Sequence, residues 1–228
     1  MKLIYQGKTK DIYKVEELIC LKFKDDVTGT DGKFDPGANQ VGLSIAGMGK
    51  LNLEMTTYFF ESLAKAGIAS HYVSADLEAN TMMVKPLEVF GQGLEVITRY
   101  RATGSFIKRY GAYVEEGQAL DAYVELTLKD DVREDPLVTS EGIVALGVMT
   151  QAQYQSLLAL NVEIAEFVKA DLASKGLEMY DLKLEFGYQA DNPDEIVLMD
   201  EISGGNMRVY QGETLLTPLE LAAFYTEQ

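Results

Sequence analysis

The chain has 228 residues, of which 47% are hydrophobic, and this is enough to bury the core of one large domain or two small ones. Its 20 basic and 36 acidic residues give a formal net charge of −16, which disfavours a nucleic acid partner because binding to a duplex depends on neutralising its phosphates. The single cysteine excludes an internal disulfide, and with the single histidine it supplies too few ligands for a His/Cys zinc site.

The sequence contains no predicted membrane segment. None of its apolar runs approaches the length that spans a bilayer, and the apolar stretch at residues 3–5 is too short for a signal peptide. We therefore expect a cytoplasmic protein without a membrane partner. Any metal is expected to be bound by oxygen ligands, for which Mg²⁺ is the first candidate.

Three strands are predicted in the first 25 residues, at 3–5, 11–15 and 19–24, because these segments are rich in β-branched and aromatic residues. The turn between the first two strands contains Gly7, Lys8, Thr9 and Lys10. A glycine-led turn with two lysines could cover phosphates as a flap. It could equally be the solvated tip of a hairpin.

Residues 25–49 are rich in glycine and aspartate and predict a long loop, which in a compact domain is usually functional or mobile. A helix is predicted at 51–66, where apolar residues recur at spacings of three and four before Gly67. Strands follow at 71–73 and 81–85. Pro86 marks the expected boundary between an N-terminal lobe, 1–86, and a second lobe, 87–228.

The second lobe is predicted to contain strands at 94–101 and 124–131, with a turn into a short helix at 103–111. Residues 150–175 form an amphipathic pattern that predicts a helix ending at Gly176. A short hairpin near 211–212 and a helix from Pro218 follow. Short turns join most of the strands, which favours an α+β fold with antiparallel sheets over a parallel α/β fold.

A charged hairpin is predicted near the end of the chain. Residues 181–187 alternate in polarity, which places Asp181, Lys183 and Glu185 on one face of a strand. The turn-rich residues 191–194 separate this strand from a second one at 196–203. Glu185 and Asp200 could then face each other, and two carboxylates near a lysine would suit Mg²⁺ bound to a polyphosphate.

The basic residues are most concentrated at 99–109, where Gly104 and Ser105 stand between Arg99, Arg101, Lys108 and Arg109. Arginine forks and a glycine-serine turn at a helix start can bind a phosphate or a carboxylate. A surface patch that pairs with the excess acid is the alternative. Arg208, which follows the hairpin, could complete the anion site.

The pattern as a whole indicates two neighbouring sites. One suits a Mg²⁺-nucleotide and the other suits a phosphorylated anion, and this combination suggests phosphoryl transfer or ATP-driven ligation. The residues of the first are Gly7, Lys8, Thr9, Lys10, Lys85, Lys129, Glu185 and Asp200, and those of the second are Arg99, Ser105 and Arg208.

Five segments, at 5–13, 99–109, 129–136, 181–187 and 200–203, resemble in order and spacing those of the phosphoribosylaminoimidazole-succinocarboxamide synthase family, also called SAICAR synthetase. The resemblance implies two lobes, the first like the N-lobe of protein kinases and the second like ATP-grasp enzymes. It also implies a homodimer or larger homo-oligomer that joins L-aspartate to the carboxylated aminoimidazole ribonucleotide CAIR. ATP would drive the reaction, with SAICAR, ADP and phosphate as products in purine biosynthesis.

The resemblance also implies roles for individual residues. Gly7, Lys8, Thr9 and Lys10 would form a nucleotide flap, and Val84 and Lys85 would line the adenine site. Glu185 and Asp200 would hold Mg²⁺, and Lys129 would approach the phosphates. The ribonucleotide would be bound by Arg99, Ser105, Asp181, Lys183 and Arg208. Lys183, Arg99 and Lys129 are expected to take part in catalysis.

Two other functions are compatible with the sequence. The first is a related ATP-dependent ligase for another heterocyclic carboxylate, allowed by a changed segment after Ser203, where Gly204 and Gly205 could let the backbone approach a ligand. The second is a nucleotide-binding regulator without turnover. The presence of the lysines and of both proposed metal carboxylates argues against the regulator.

Overall fold

The structure, a computed structural model, describes residues 1–30, 32–37 and 40–226. Within these residues the chain divides into two compact units. The first contains Met1–Leu87, Glu201–Asn206 and the described residues from Leu216 onward, and the second contains Glu88–Asp200 and Met207–Leu215. The division into lobes at 1–86 and 87–228 stays a prediction. The two compact units differ from these lobes because two later segments of the chain belong to the first unit.

The first unit contains a sheet in the order β1-β2-β3-β8-β7 and a small sheet in the order β5-β4-β6. Its strands are β1 (Lys2–Gln6), β2 (Lys10–Val15), β3 (Leu18–Phe23), β4 (Asp26–Thr30), β5 (Lys33–Phe34), β6 (Val41–Ser44), β7 (Tyr72–Asp76) and β8 (Thr81–Val84), and its helices are α1 (Met48–Lys65) and α5 (Pro218–Thr226). Helix α1 buries Leu53, Phe59, Phe60 and Leu63 and contacts α5 and β3. The apolar residues whose spacing predicts this helix therefore form part of the core of this unit.

The second unit contains a large sheet in the order β12-β11-β10-β13-β15-β16, with β9 and β14 also paired to β13. Its strands are β9 (Glu88–Val89), β10 (Leu94–Arg101), β11 (Ala119–Leu128), β12 (Leu137–Val138), β13 (Glu178–Gln189), β14 (Asn192–Met199), β15 (Met207–Gln211) and β16 (Thr214–Leu215). Its helices are α2 (Ser105–Tyr110), α3 (Ser140–Ala145) and α4 (Gln151–Ser174).

Helix α4 covers the apolar side of this large sheet. It begins after Thr150, whose side chain and that of Gln153 form a reciprocal capping box. Its buried Leu157, Ile164 and Leu172 lie on the stripe predicted from the sequence, and the helix contacts β10 and β13. Strands β10 and β13 carry the predicted charged residues on their other face, so α4 packs on the side of the sheet opposite to these charges.

The α+β prediction is confirmed, and every strand pair among the described residues is antiparallel. In this described part, no helix is long and apolar enough to cross a membrane. The predicted strand at 124–131 is longer and earlier, at Ala119–Leu128. The hairpin turns at residues 190–191, so β14 already begins within the predicted turn at 191–194.

The predicted long loop at 25–49 is wrong. Strands β4, β5 and β6 form within it, although Ala38 and Asn39 of that segment lie outside the described residues. The glycines that suggested a loop have a packing role, because a Cβ on Gly42 would lie 2.5 Å from the backbone of Gly29 in the neighbouring strand. A glycine-rich composition therefore does not indicate irregular structure here, because the glycines permit a close pair of strands.

Substitution of Gly42 by alanine is expected to force β4 and β6 apart, because the added methyl group meets the backbone of Gly29. The free energy of unfolding should fall by about 1–3 kcal/mol, which is typical of overpacking. Urea denaturation measures the change. Ser44→Ala, at an exposed position of the same strand, is the control, and equal stability of the two variants would contradict the close pairing.

Candidate active site

The register of the central strands in the second unit brings charged side chains to one face of the sheet. Across β10 and β13, Glu95 lies opposite Glu185 and Arg99 lies opposite Asp181. On the other side of β10, Glu95 lies opposite Thr127. Directly opposite residues share a face, and so do residues two apart in one strand. The polar face, as we call it, comprises Glu95, Arg99, Glu125, Thr127, Asp181, Lys183 and Glu185.

Two carboxylates and a lysine meet at one end of the polar face. Glu185 lies opposite Met199, and Asp200 follows directly. Burial raises the pKa of the Glu185 carboxyl and the Asp200 carboxylate raises it further, while Lys129 opposes this. Lys129 Nζ donates to Glu185 Oε1 at 2.7 Å. Burial would lower the pKa of Lys129, but Glu185 and Asp200 outweigh it and raise that pKa, so the lysine stays charged.

The backbone at this end is specialised for these side chains. Asp200 has a φ of +66°, a left-handed conformation that costs a residue other than glycine on the order of 1 kcal/mol. Gly93 has a φ of +111°, and a Cβ there would lie 2.9 Å from Lys129 Cδ. Lys129 N also donates to Gly93 O at 3.1 Å. Gly93 therefore provides the space in which the lysine side chain lies, and Asp200 keeps a carboxylate in a strained position.

The Glu185–Asp200 pair fits a magnesium ion that also binds phosphates. Mg²⁺ is usually held by one or two protein carboxylates, with phosphate and water oxygens completing its octahedron. Among the described residues no group of three or more His, Cys, Asp or Glu side chains is placed to hold a metal ion by itself. The raised pKa of Glu185 is consistent with a cation site, because a bound cation would offset the repulsion between the Glu185 and Asp200 carboxylates.

Lys183 lies in the middle of the polar face and is paired with a residue that the sequence interpretation missed. Its Nζ donates to Glu95 Oε1 at 2.6 Å, and Thr127 Oγ1 donates to Glu95 Oε2 at 3.1 Å. Glu95 therefore orients the lysine. The period of two along β10 places Glu95 on the same face as Arg99, and this signal was present in the sequence.

Arg99 lies at the other end of the polar face and is only 2% exposed. Its Nη1 donates to Asp181 Oδ2 at 2.8 Å, and its Nη2 donates to Ser105 Oγ at 2.9 Å. It also pairs with Glu125 at 2.6 Å. The guanidinium is thus bonded to protein groups on two strands and at the start of α2. Its predicted direct contact with a ligand stays a prediction.

Arg208 joins the same cluster, and its predicted role in binding an anion stays a prediction. Its Nη1 donates to Asp181 Oδ2 at 2.6 Å, and its backbone N donates to Asp181 Oδ1 at 3.2 Å. Asp181 therefore binds both Arg99 and Arg208. Four of the five predicted ribonucleotide residues, Arg99, Ser105, Asp181 and Arg208, lie in one bonded cluster, and Lys183 is two residues along β13.

Gly104 makes room for the guanidinium of Arg208. Its backbone has φ of 56° and ψ of −127°, which an L-residue with a side chain rarely adopts. A Cβ at this position would lie 2.6 Å from Arg208 Nη2. The sequence interpretation assigned this glycine to a phosphate-binding turn, and the structure gives it a role in the packing of an arginine.

In the first unit, the predicted flap residues lie in the turn between β1 and β2. Gly7 N donates to Lys10 O at 2.8 Å, and Lys24 Nζ donates to Gly7 O at 3.1 Å, which closes the turn. Lys10 is the first residue of β2 and is buried, and its amine pairs with Glu201. Val84 is buried at the end of β8 and Lys85 after it is exposed. The nucleotide roles of these residues stay predictions.

The segment at 201–206 is held by its own hydrogen bonds within the first unit. Ser203 Oγ donates to Glu201 Oε2 at 2.8 Å, and Asn206 Nδ2 donates to Glu201 O at 2.7 Å. A Cβ on Gly204 would lie 2.9 Å from Pro218 Cα. Gly204 therefore permits close packing against α5, which accounts for this glycine without a ligand.

The sequence is similar to those of known proteins. The sequence model of the SAICAR synthetase family matches residues 3–218. A protein of Clostridium tetani named phosphoribosylaminoimidazole-succinocarboxamide synthase is 50% identical over 228 residues, which is all of both chains. A protein of the same name from Finegoldia magna is 38% identical over 217 residues, 94% of this chain and 88% of that one.

The fold is also similar to solved structures. One described as SAICAR synthetase (Type-2) in complex with ADP has a TM-score of 0.79 at 30% identity, and the match covers 98% of this chain and 90% of that chain. Matches of this length extend over both compact units.

Substitution of Asp200 by asparagine is expected to lower the pKa of Glu185, because the Asp200 carboxylate raises it next after burial. Because the pKa of Glu185 is higher in the folded protein than in the unfolded chain, the wild type loses stability as the pH rises from the unfolded-state pKa through the folded-state pKa. This loss of stability should be smaller in the variant. Carboxyl ¹³C NMR titration measures the pKa. Asp194→Asn, exposed on the same hairpin, should leave it unchanged. No difference between the variants would contradict the proximity of the two carboxylates.

Proposed function

Because the chain belongs to the SAICAR synthetase family, we propose that it joins L-aspartate to the carboxylate of CAIR with consumption of ATP. SAICAR, ADP and phosphate are the products, in purine biosynthesis. The chain is thus a ligase that forms a carbon–nitrogen bond. The ADP bound in a similar solved structure supports the use of an adenine nucleotide.

One observation of the fold carries this function. Strand β13 has Asp181 in the arginine cluster, Glu185 in the carboxylate pair and Lys183 between them. Residues two apart in a strand are separated by about 7 Å, so the two ends lie roughly 14 Å apart on one face. That spacing accommodates a ribonucleotide phosphate at one end and the transferred phosphoryl group at the other, with the CAIR carboxylate near Lys183.

The chemistry requires activation of a carboxylate, which is a poor acylating agent because its leaving group would be oxide. An oxygen of the CAIR carboxylate attacks the γ-phosphorus of ATP, and ADP leaves. The unprotonated amine of L-aspartate attacks the carbon of the resulting acyl phosphate, phosphate leaves with the bonding electrons, and the nitrogen loses a proton to solvent. Positioning and charge neutralisation supply most of the catalysis, so the protein needs no covalent nucleophile.

The residues of the second unit divide this work. Glu185 and Asp200 would hold Mg²⁺, which when bound neutralises charge on the ATP phosphates. Lys129, kept protonated by these carboxylates, binds the same phosphates. Lys183, oriented by Glu95, stabilises the negative charge of the reacting carboxylate. Arg208 and Ser105 bind the phosphate of the ribonucleotide, with Arg99 and Asp181 behind them.

In the first unit, Gly7, Lys8, Thr9 and Lys10 are proposed to act as the nucleotide flap, and Val84 and Lys85 to contact adenine. The family resemblance supports these roles. It also supports a likeness of the first lobe to the protein-kinase N-lobe and of the second to ATP-grasp enzymes. We propose a cytoplasmic homodimer on the same basis.

The function is tested by ADP release from the purified protein. We expect release only when CAIR, L-aspartate and Mg²⁺-ATP are all present. Glu185→Gln should reduce turnover about a hundred- to thousandfold, because loss of one electrostatic contact costs roughly 3–4 kcal/mol in the transition state. Its circular dichroism spectrum should match the wild type. Release without CAIR or L-aspartate would instead indicate another ligase or a hydrolase, and binding of ATP without any turnover would indicate a regulator.

Arg208→Ala is expected to raise the KM for CAIR about ten- to hundredfold, because an arginine–phosphate contact is a strong charge-assisted bond. Gly104→Ala should raise the same KM, since its methyl group displaces the Arg208 guanidinium. Gly212→Ala, at a positive φ with no atom within 4 Å of the added methyl group, controls for backbone strain. Steady-state kinetics measures each constant. A change confined to the KM for ATP would assign Arg208 to the nucleotide site.

A further inference from the structure

Five charged side chains of alternating sign form a continuous bonded chain through the second unit. Arg109 contacts Glu125, Glu125 contacts Arg99, Arg99 contacts Asp181, and Asp181 contacts Arg208. Their separations run from 2.6 to 2.8 Å. Each carboxylate is bound by two arginines. The chain reaches from the exposed side of α2 to the residue proposed to bind the ribonucleotide phosphate.

Glu125 is a buried member of this chain of charges and has no role in the predicted site. It is 5% exposed. Its Oε1 accepts from Arg99 Nε at 2.9 Å, from Arg99 Nη2 at 2.6 Å and from Arg109 Nη2 at 2.6 Å. Its Oε2 accepts from Arg109 Nη2 at 2.7 Å. A buried carboxylate with this many charged donors fixes the planes of the guanidinium groups that it binds.

The orientation of Arg99 decides where two ligand-binding groups lie. The Nη2 atom that donates to Glu125 also donates to Ser105 Oγ at 2.9 Å, and Nη1 donates to Asp181. Asp181 in turn binds Arg208. Rotation of the Arg99 guanidinium would therefore move the Ser105 hydroxyl. It would also change the hydrogen bond between Arg99 and Asp181, and so the strength with which Asp181 binds Arg208.

We propose that Glu125 is a positioning residue for the ribonucleotide phosphate, acting through Arg99 on Ser105 and Arg208. The inference rests on the proposed function, since it names the residue that prepares that site. Glu125 does not touch the substrate in this account. Glu125 and Asp181 together balance the positive charges of three guanidinium groups. Because Glu125 balances part of this charge, Asp181 can hold Arg208 beside Gly104.

The charge balance explains why an uncharged replacement would have an effect at a distance. Three arginines and two carboxylates leave one net positive charge in the chain. Without the charge of Glu125, Asp181 is the one carboxylate in this chain for all three guanidinium groups. Arg99, which is buried, then draws Asp181 toward itself, and the ion pair between Asp181 and Arg208 weakens.

The test is steady-state kinetics of Glu125→Gln, which keeps the shape and removes the charge. The KM for CAIR should rise about tenfold or more, the size expected for loss of charge-assisted hydrogen bonds, while the KM for ATP changes less than about twofold. Glu178→Gln is the matched control. Glu178 also pairs with an arginine, Arg101 at 2.7 Å, but at the exposed surface of the same unit, and all its constants should stay at wild-type values.

A purely structural role for Glu125 would lower the melting temperature and leave the ratio of the two KM values unchanged, and this result would overturn the proposal. Glu125→Asp keeps the charge on a shorter side chain and provides the same measurement if Glu125→Gln does not fold. Its KM for CAIR should rise by roughly two- to fivefold, which is less than expected for loss of the charge, and an unchanged value would also overturn the proposal. Absence of CAIR-dependent turnover in the wild type would instead refute the proposed function.

Discussion

The rest of the second unit depends on the ion pairs that the buried guanidinium of Arg99 forms with the acids around it. A guanidinium cannot lose its proton in a protein, so a side chain that is 2% exposed must be compensated by acids and acceptors around it. Here the acids come from β11 and β13, on both sides of β10, and a hydroxyl comes from the start of α2. The register of three strands and the position of a helix are therefore tied to one side chain.

The two ends of the polar face have opposite electrostatics. At the arginine end, positive charges outnumber negative ones, and the cluster is largely removed from solvent. At the other end, burial raises the pKa of Glu185 and repulsion by Asp200 raises it further, so negative charge is disfavoured there unless a cation binds. The whole chain carries a formal charge of −16, so an anionic substrate cannot be attracted by the overall field. The groups proposed to bind it are arginines held at short range.

The strands and helices of the charged regions were predictable because each signal is local. The alternation in 181–187 and the turn after it specified a hairpin, and the hairpin brought Glu185 and Asp200 together. Apolar spacing and a capping residue specified α4. The error at 25–49 had a physical cause, since the glycines that suggest a loop also allow β4 and β6 to approach closely. Gly93 and Gly104 were likewise not recognised as the space for Lys129 and Arg208.

The five family segments and the face of each charged residue were legible in the sequence, because a period of two depends on the backbone of one strand alone. Which charges meet was set by the folded chain. Arg99 finds Glu125 26 residues away and Asp181 82 residues away, and Lys10 finds Glu201 191 residues away. Alternation says which way a side chain points, but the neighbour of a strand is chosen by the packing of the whole sheet. Alternation in β10 therefore shows the face of Glu95, but only the order of the strands in the sheet shows that Glu95 meets Lys183 and that Glu125 meets Arg99.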